Sequence, residues 1–146
     1  MNYLPVYLDS SALLKLILPE PESADLGQTL RRWPDWVSSA IAAVECRRAL
    51  ARVDAPADVL ARADAVLAAT TLLHVDEAVL TLAGQIPING LRSLDALHLA
   101  SAMAMGDDPD AFVTYDDRLA DAADRLKLNV IHPGRSASSR DTSPSS

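Results

Sequence analysis

The sequence predicts an α/β fold in which an open, mostly parallel sheet carries helices on both faces. Short apolar runs typical of buried strands alternate along the chain with longer runs of helical periodicity. The length of 146 residues suits one domain, and 49% of the residues are hydrophobic whereas only 4% are aromatic. We therefore expect a core of Ala, Leu and Val side chains, as in helices packed on a compact sheet.

The first half of the chain contains three predicted strands, over residues 3–8, 36–38 and 72–75. Pro5 must lie near the start of the first strand, because proline cannot donate a hydrogen bond inside a sheet. Ser10 or Ser11 caps the helix that follows, and Pro19 ends it. Further helices are predicted over residues 22–32, 40–53 and 56–69.

The second half continues the alternation of strand and helix. Asp76 caps a helix over 77–85, and a loop containing Pro87 and Gly90 precedes a helix over 92–105. A strand over 111–114, a helix over 117–126 and a short strand over 129–131 complete the sheet. The Ser-rich sequence from Gly134 onward has no apolar side chains to bury. We therefore predict a domain over residues 1–133 and a disordered tail over residues 134–146.

Charge and cysteine content limit the class of protein. The net charge of −7 argues against a protein that coats nucleic acid non-specifically, but it does not exclude a nuclease with a carboxylate site. The pair Arg31-Arg32 and the cluster of Arg47, Arg48 and Arg52 are typical of solvated helix faces with salt bridges. The single cysteine, Cys46, cannot form an intramolecular disulfide, and the sequence lacks a zinc-ligand pattern, a signal peptide and a membrane span. We expect a cytoplasmic protein.

Asp95 belongs to a helix that is apolar almost all the way round and is therefore buried. After Ser93, the polar side chains of this helix are Asp95, His98 and Ser101, which fall along one narrow stripe. A buried carboxylate must be protonated, hydrogen-bonded, paired with a cation or bound to a metal, because leaving it unpaired costs several kcal/mol or more. Asp95 therefore needs a partner. We expect His98 to have a structural role.

Two further aspartates follow predicted strands, where side chains of an open α/β sheet converge on a common crevice. Asp9 follows the first strand and Asp116 the fourth, and each one alone is typical of a helix N-cap. Glu45 leans toward the apolar face of its helix, and a pair with Arg48 or Arg52 is its alternative role. Four converging carboxylates would repel one another unless a cation intervened, and Mg²⁺ is the hard divalent ion that prefers such oxygen ligands.

The acidic segments together resemble the PIN domain family, and specifically the VapC-type toxins of bacterial toxin–antitoxin pairs. Order and spacing agree from residue 3 to about residue 132. The four segments that carry the resemblance are Leu8-Asp9-Ser10-Ser11-Ala12-Leu13-Leu14-Lys15-Leu16, residues 39–50 around Glu45, Arg92-Ser93-Leu94-Asp95-Ala96-Leu97-His98-Leu99-Ala100 and Phe112-Val113-Thr114-Tyr115-Asp116-Asp117-Arg118-Leu119.

The resemblance implies a three-layer α/β/α sandwich with a short, mostly parallel central sheet, and a Mg²⁺- or Mn²⁺-dependent endoribonuclease acting as a toxin. It implies an RNA substrate, inhibition by a VapB-like antitoxin, and a homodimer. Residue by residue, the acidic quartet is Asp9, Glu45, Asp95 and Asp116. Asp9, Asp95 and Asp116 are the expected metal ligands, and Ser10, Thr114 and Asp117 are expected to support them. Either Asp116 or Asp117 faces the metal, and the spacing from Thr114 favours Asp116.

Two other functions compete with the nuclease interpretation. A haloacid-dehalogenase-like phosphatase would use Asp9 as a covalent nucleophile. That family has a second Asp two residues further on, where this chain has Ser11. A non-catalytic interaction domain would keep the PIN-like fold without turnover, and the intact set of four acids argues against it.

Overall fold

A computed structural model describes residues 4–135, which contain a five-stranded sheet and seven helices. The strands are β1 (Val6–Leu8), β2 (Trp36–Ser39), β3 (Thr71–Leu73), β4 (Ala111–Val113) and β5 (Val130–Ile131). The helices are α1 (Ser10–Ile17), α2 (Ser23–Leu30), α3 (Ile41–Arg52), α4 (Ala57–Ala68), α5 (Glu77–Gln85), α6 (Ser93–Met103) and α7 (Asp117–Arg125). Every predicted element is present, and each lies near its expected place.

The sheet has the strand order β3-β2-β1-β4-β5, and all four neighbouring pairs are parallel. Side chains alternate across it, so Val6 and Leu8 of β1 pack on one face and Tyr7 packs on the other. The first face is covered by the apolar sides of α1–α4, and the second by α6 and α7. The predicted three-layer α/β/α sandwich is confirmed.

The strand order reverses between β1 and β4, which places a crevice at their carboxyl ends. From the central strand β1 the chain moves outward to β2 and β3, then returns to build β4 and β5 on the opposite side. Ligands of open α/β sheets bind outside the carboxyl ends of the strands at such a reversal. Asp9 comes directly after β1, and Asp116 lies three residues after the end of β4.

The third strand differs slightly from its prediction. It was expected over residues 72–75, whereas β3 spans Thr71–Leu73. Its neighbour β2 ends at Ser39, which is paired with Leu73, so His74 has no strand residue to pair with. The Asp76 carboxylate then caps α5, as predicted, by accepting a hydrogen bond from the Val79 backbone N–H.

In the described part of the chain, no helix is both long and apolar enough to span a bilayer.

The first two residues of the predicted tail contact the domain. The Arg135 guanidinium donates to Asp117 Oδ1 at 2.7 Å and to the Tyr115 carbonyl at 2.8 Å. Gly134 adopts a φ of +85° next to the Glu22 backbone, where a side chain would be strained. The rest of the predicted tail, residues 136–146, lies outside the described residues.

A chain that ends at Arg135 should have the thermal stability of the full chain, because it keeps these contacts. A chain that ends at Pro133 loses both Arg135 hydrogen bonds, and its free energy of unfolding should fall by about 1 kcal/mol. Thermal and urea unfolding of the two truncated proteins measure the difference. The Arg135→Gln variant of the full chain is the control and should show a similar loss, whereas unfolding of the chain that ends at Arg135 would contradict the predicted boundary.

Candidate active site

Asp9 is the most deeply buried acid of the crevice, with 2% of its surface exposed. It is the N-cap of α1, and its Oδ1 accepts hydrogen bonds from the Ala12 backbone N–H at 2.9 Å and the Ser11 hydroxyl at 2.7 Å. Its Oδ2 accepts from the Thr114 hydroxyl at 2.6 Å. All three donors are neutral, and no Lys or Arg within residues 4–135 forms an ion pair with Asp9.

The hydroxyl that supports Asp9 on α1 comes from Ser11, whereas the sequence suggested Ser10. An N-cap carboxylate folds back over the first helical turn toward the second and third residues of the helix, so it meets Ser11. The Ser11 oxygen also accepts from the Tyr115 backbone N–H at 2.9 Å, which ties α1 to the end of β4. Among the described contacts, the Ser10 side chain has no hydrogen bond to Asp9.

Thr114 connects two of the predicted acids. Its hydroxyl donates to Asp9 and accepts from the Asp116 backbone N–H at 3.1 Å. Asp116 is the N-cap of α7, and its Oδ1 accepts from the backbone N–H groups of Arg118 and Leu119. Its Oδ2 has no hydrogen bond among the described residues. Asp117 points elsewhere, because its carboxylate is paired with Arg135.

Asp95 lies in the first turn of α6 and is half-buried. No hydrogen bond or ion pair to its carboxylate is present within the described part of the chain. Burial is the main cause that raises the pKa of Asp95, and the negative charge of Asp116 raises it further. A protonated His98 would act in the opposite direction, as the charge of Arg92 does. Asp95 and Asp116 therefore lie close enough to repel each other across the crevice.

Glu45 is held by a buried histidine, and not by Arg48 or Arg52 of its own helix, the pairing that was its alternative role. Its Oε1 is 2.7 Å from His98 Nε2, and His98 Nδ1 is 2.8 Å from the Tyr7 hydroxyl. His98 is 1% exposed, and Tyr7 is fully buried and stacks on Phe112. The predicted structural role of His98 thus includes a direct contact with an acid of the candidate site. The shared stripe of Asp95 and His98 on α6 was the signal in the sequence, but their separation from Glu45 hid the contact.

The proton positions in this chain of contacts follow from the donors that are present. Burial raises the pKa of Tyr7, so its hydroxyl stays protonated and donates to His98 Nδ1. A neutral His98 then carries its proton on Nε2 and donates it to the Glu45 carboxylate. The Tyr7 hydroxyl, both ring nitrogens of His98 and Glu45 Oε1 thus each have a hydrogen-bond partner. The hydrogen bonds fix the orientation of the Glu45 carboxylate from inside the core.

The donor chemistry of the crevice suits a hard divalent cation. Desolvation raises the pKa of Asp9, whereas a protonated His98 would lower it and the hydrogen bonds from Thr114, Ser11 and Ala12 lower it. Asp9, Asp95 and Asp116 have no ion pair with a Lys or Arg in the described structure. A cation beside them would favour their charged forms, and oxygen ligands are what Mg²⁺ prefers. No group of three or more His, Cys, Asp or Glu side chains within residues 4–135 is arranged to hold one ion. Because Mg²⁺ commonly takes only one or two carboxylates and keeps several waters, a three-carboxylate cage is not required.

Cys46 lies beside Glu45 in sequence but belongs to the core. Its side chain is fully buried, and its thiol contacts the Ser10 carbonyl at 3.9 Å. Burial raises the pKa of the thiol to about 12, so the nucleophilic thiolate is scarce at neutral pH. Cys46 therefore contributes packing rather than chemistry.

Comparison with known proteins finds one family model and several curated relatives that match most of the chain. The profile of the PIN domain family matches residues 6–125. Ribonuclease VapC46 of Mycobacterium tuberculosis H37Rv is 46% identical over 128 residues, which cover 88% of this chain and 97% of that protein. Ribonuclease VapC35 of Mycobacterium tuberculosis is 40% identical over 134 residues, which cover 89% of this chain and 98% of that protein.

Solved structures share the fold at low sequence identity. The crystal structure of VapC20 of Mycobacterium tuberculosis, a toxin that cleaves the sarcin-ricin loop, has a TM-score of 0.69 and 15% identity, covering 88% of this chain and 99% of that one. A chain in the crystal structure of VapBC2 from Rickettsia felis, bound to a DNA fragment from their promoter, has a TM-score of 0.70 and 13% identity, covering 89% of this chain and 99% of that one.

The Tyr7→Phe substitution tests the arrangement of protons around His98. It removes the donor to Nδ1, so the free energy of unfolding should fall by about 1 kcal/mol and the preference of the ring for a proton on Nε2 should weaken. Long-range ¹H–¹⁵N correlation spectra report which ring nitrogen is protonated, and His98→Gln identifies the signals of this ring. A wild-type ring with a proton on Nδ1 at neutral pH would contradict the arrangement.

Proposed function

The chain belongs to the PIN domain family, and we propose that it is a VapC-type ribonuclease toxin that hydrolyses RNA with the help of a divalent cation. The observation that carries the proposal is the buried Asp9 carboxylate at the reversal of strand order, held by neutral donors only and accompanied by Asp95 and Asp116. Such a site favours a cation, and a bound cation favours a phosphodiester substrate. The relatives named VapC ribonuclease support the same class of activity.

We assign the cation to Asp9, Asp95 and Asp116, with water completing its coordination and with Mg²⁺ preferred to Mn²⁺. When bound, the cation supplies a water of lowered pKa and neutralises the charge that develops on the phosphoryl group. Asp9 has one acceptor position left on Oδ2, because Thr114 occupies the other, and Asp116 has a whole oxygen left. Glu45 completes the acidic site in the orientation that His98 gives it. Because water is the proposed nucleophile, the products should have 5′-phosphate and 3′-hydroxyl ends.

The two competing functions receive less support. A haloacid-dehalogenase-like phosphatase would have a second carboxylate at position 11, where the Ser11 hydroxyl instead donates to Asp9. The PIN domain match over residues 6–125 favours the nuclease instead. A non-catalytic interaction domain could use Asp9 and Asp116 as helix caps. It would give no reason for the half-buried Asp95 carboxylate, which has no hydrogen bond or ion pair within the described residues.

We propose a VapB-like antitoxin as the protein partner and a homodimer as the assembly. The helices after Pro19 and from Ala40 are candidates for an apolar groove that would bind an antitoxin segment. The large apolar side chains of α2, Leu26 and Leu30, are buried in the core, whereas α3 exposes 59% of Val44. The docking surface that we propose is therefore centred on α3. A basic antitoxin side chain would reach the carboxylates of the crevice from there.

The substitutions Asp9→Asn and Asp95→Asn should each abolish RNA cleavage without unfolding the protein, because they remove a charge and keep the shape of the side chain. In the absence of metal, the stability of Asp95→Asn should equal or exceed that of the wild type, since a repelling charge is gone. In Asp9→Asn the gain from removing the buried charge is offset by the loss of one of its hydrogen bonds, because an amide has one acceptor oxygen where the carboxylate has two. Addition of Mg²⁺ should raise the melting temperature of the wild type more than that of either variant.

The matched control for these two variants is Cys46→Ala, which should retain cleavage within a few-fold and respond to Mg²⁺ as the wild type does. Thermal unfolding with and without Mg²⁺, together with cleavage of total RNA, gives both readouts. Equal Mg²⁺ shifts in all four proteins would show that the cation does not bind at these carboxylates.

Expression of the wild-type protein in a bacterial host should arrest growth, because RNA cleavage stops protein synthesis. Co-expression of a neighbouring gene that encodes a VapB-like protein should restore growth, and Asp9→Asn should be harmless on its own. Growth curves and mapping of new RNA 5′ ends measure the two effects. If the protein cleaves RNA in vitro but does not impair growth, the proposed ribonuclease activity stands and the proposed toxin function is rejected.

A further inference from the structure

A cleft of about 320 Å³ opens beside Asp95, between the loop before α6 and the outer face of α7. Its lining includes the apolar residues Ile88, Leu91 and Ala122 and the amide residue Asn89. Its volume lies at the lower end of the range for clefts that bind small molecules. Asp95 belongs to both this cleft and the candidate active site, so a molecule bound in the cleft extends to the acidic crevice.

Three arginines surround this cleft, in a protein whose net charge is −7. Arg92 precedes α6, while Arg118 and Arg125 are seven residues apart on α7 and therefore share one face of that helix. All three are exposed, and none forms an ion pair with a carboxylate of residues 4–135. Arg47, by comparison, is paired with Asp64 at 3.0 Å on another surface.

A cleft lined by guanidinium groups and apolar residues suits a nucleotide chain. The planar guanidinium donors match phosphate oxygens, while the apolar residues and the Asn89 amide offer an apolar surface and hydrogen bonds to a base. The three guanidinium groups outnumber the carboxylates of the cleft, Asp95 and Asp121. A cation at Asp95 would make the cleft more positive still.

We propose that this cleft binds the RNA backbone next to the scissile bond, with Arg92, Arg118 and Arg125 contacting successive phosphates. The inference rests on the proposed ribonuclease function and adds the path of the substrate to it. Asp95 joins the two sites, so phosphates held by the arginines place the neighbouring phosphodiester at the carboxylates. Backbone contacts of this kind give affinity that depends on salt rather than on base sequence.

Binding of a fluorescein-labelled, single-stranded RNA of mixed sequence to the uncleaving Asp9→Asn protein tests the proposal. In this background, Arg118→Gln and Arg125→Gln should each weaken binding by about fivefold, because each removes a charge-assisted contact to phosphate. The slope of log affinity against log salt should fall by about 0.7 for each lost contact. The double variant should show both losses together.

The matched control is Arg31→Gln, which removes an exposed arginine just after α2, outside the cleft. It should leave both the affinity and the salt slope unchanged. An equal loss in the control would mean that overall charge, rather than the cleft, sets the affinity, and it would overturn the proposal. Unchanged binding in Arg118→Gln and Arg125→Gln, or no salt-dependent binding by the parent protein, would overturn it as well.

Cleavage of RNA by the wild-type protein is measured separately and tests the proposed function itself. A protein that cleaves RNA while its cleft variants match the Arg31→Gln control keeps the ribonuclease function and rejects only the binding path. A wild-type protein that does not cleave RNA under any divalent cation rejects the ribonuclease function, whatever the cleft binds.

Discussion

The buried carboxylate of Asp9 is the constraint on which the site depends. Its location follows from the topology, because β1 is the central strand and the chain order reverses beside it. The carboxylate caps α1 and receives the hydroxyls of Ser11 and Thr114, so it also joins α1 to the end of β4. The hydrogen bonds of Asp9 thus stabilise the geometry of the crevice. Its charged form, however, is destabilised by the loss of hydration on burial. A cation at the crevice would remove that conflict, which is why we connect this acid with metal-dependent chemistry.

Residues packed on the second face of the sheet position Glu45, the fourth acid of the candidate site. Tyr7 is stacked on Phe112 in the core and fixes His98, and His98 in turn fixes Glu45 on α3. Through these contacts the position of an acid at the crevice depends on core packing on the opposite face of β1. Substitutions in the core near Tyr7 are therefore expected to affect the site as well as stability.

Local signals in the sequence predicted most of the fold. Pro5, Pro19 and the capping Asp76 mark ends of elements, and their effects do not depend on distant residues. The end of β3 was missed by two residues, because it is set by pairing with Ser39 on another strand. Asp9 and Asp116 could be identified as candidate site residues because they follow strands, and Asp95 because it lies on an apolar helix. The PIN resemblance then grouped them with Glu45 as one acidic quartet.

Contacts between distant segments could not be predicted in the same way. Glu45 had arginines at helical spacing, and nothing local shows that it instead meets His98, which is 53 residues away. The choice of Ser11 over Ser10 depends on how an N-cap carboxylate folds over its helix, which sequence alone left open. The arginines of the cleft come from two segments of the chain, the residue before α6 and one face of α7, and they line one cleft only in the folded protein.

The central claim is that the carboxylates at the carboxyl ends of β1 and β4 bind a divalent cation. Crystals soaked in Mn²⁺ test it directly, because the anomalous scattering of Mn²⁺ locates the ion independently of the protein atoms. The account predicts an anomalous peak beside the carboxylates of Asp9, Asp95 and Asp116 in the wild type, and a loss of that peak in Asp9→Asn. A saturated crystal with no peak at this crevice, or with peaks only elsewhere, would contradict it.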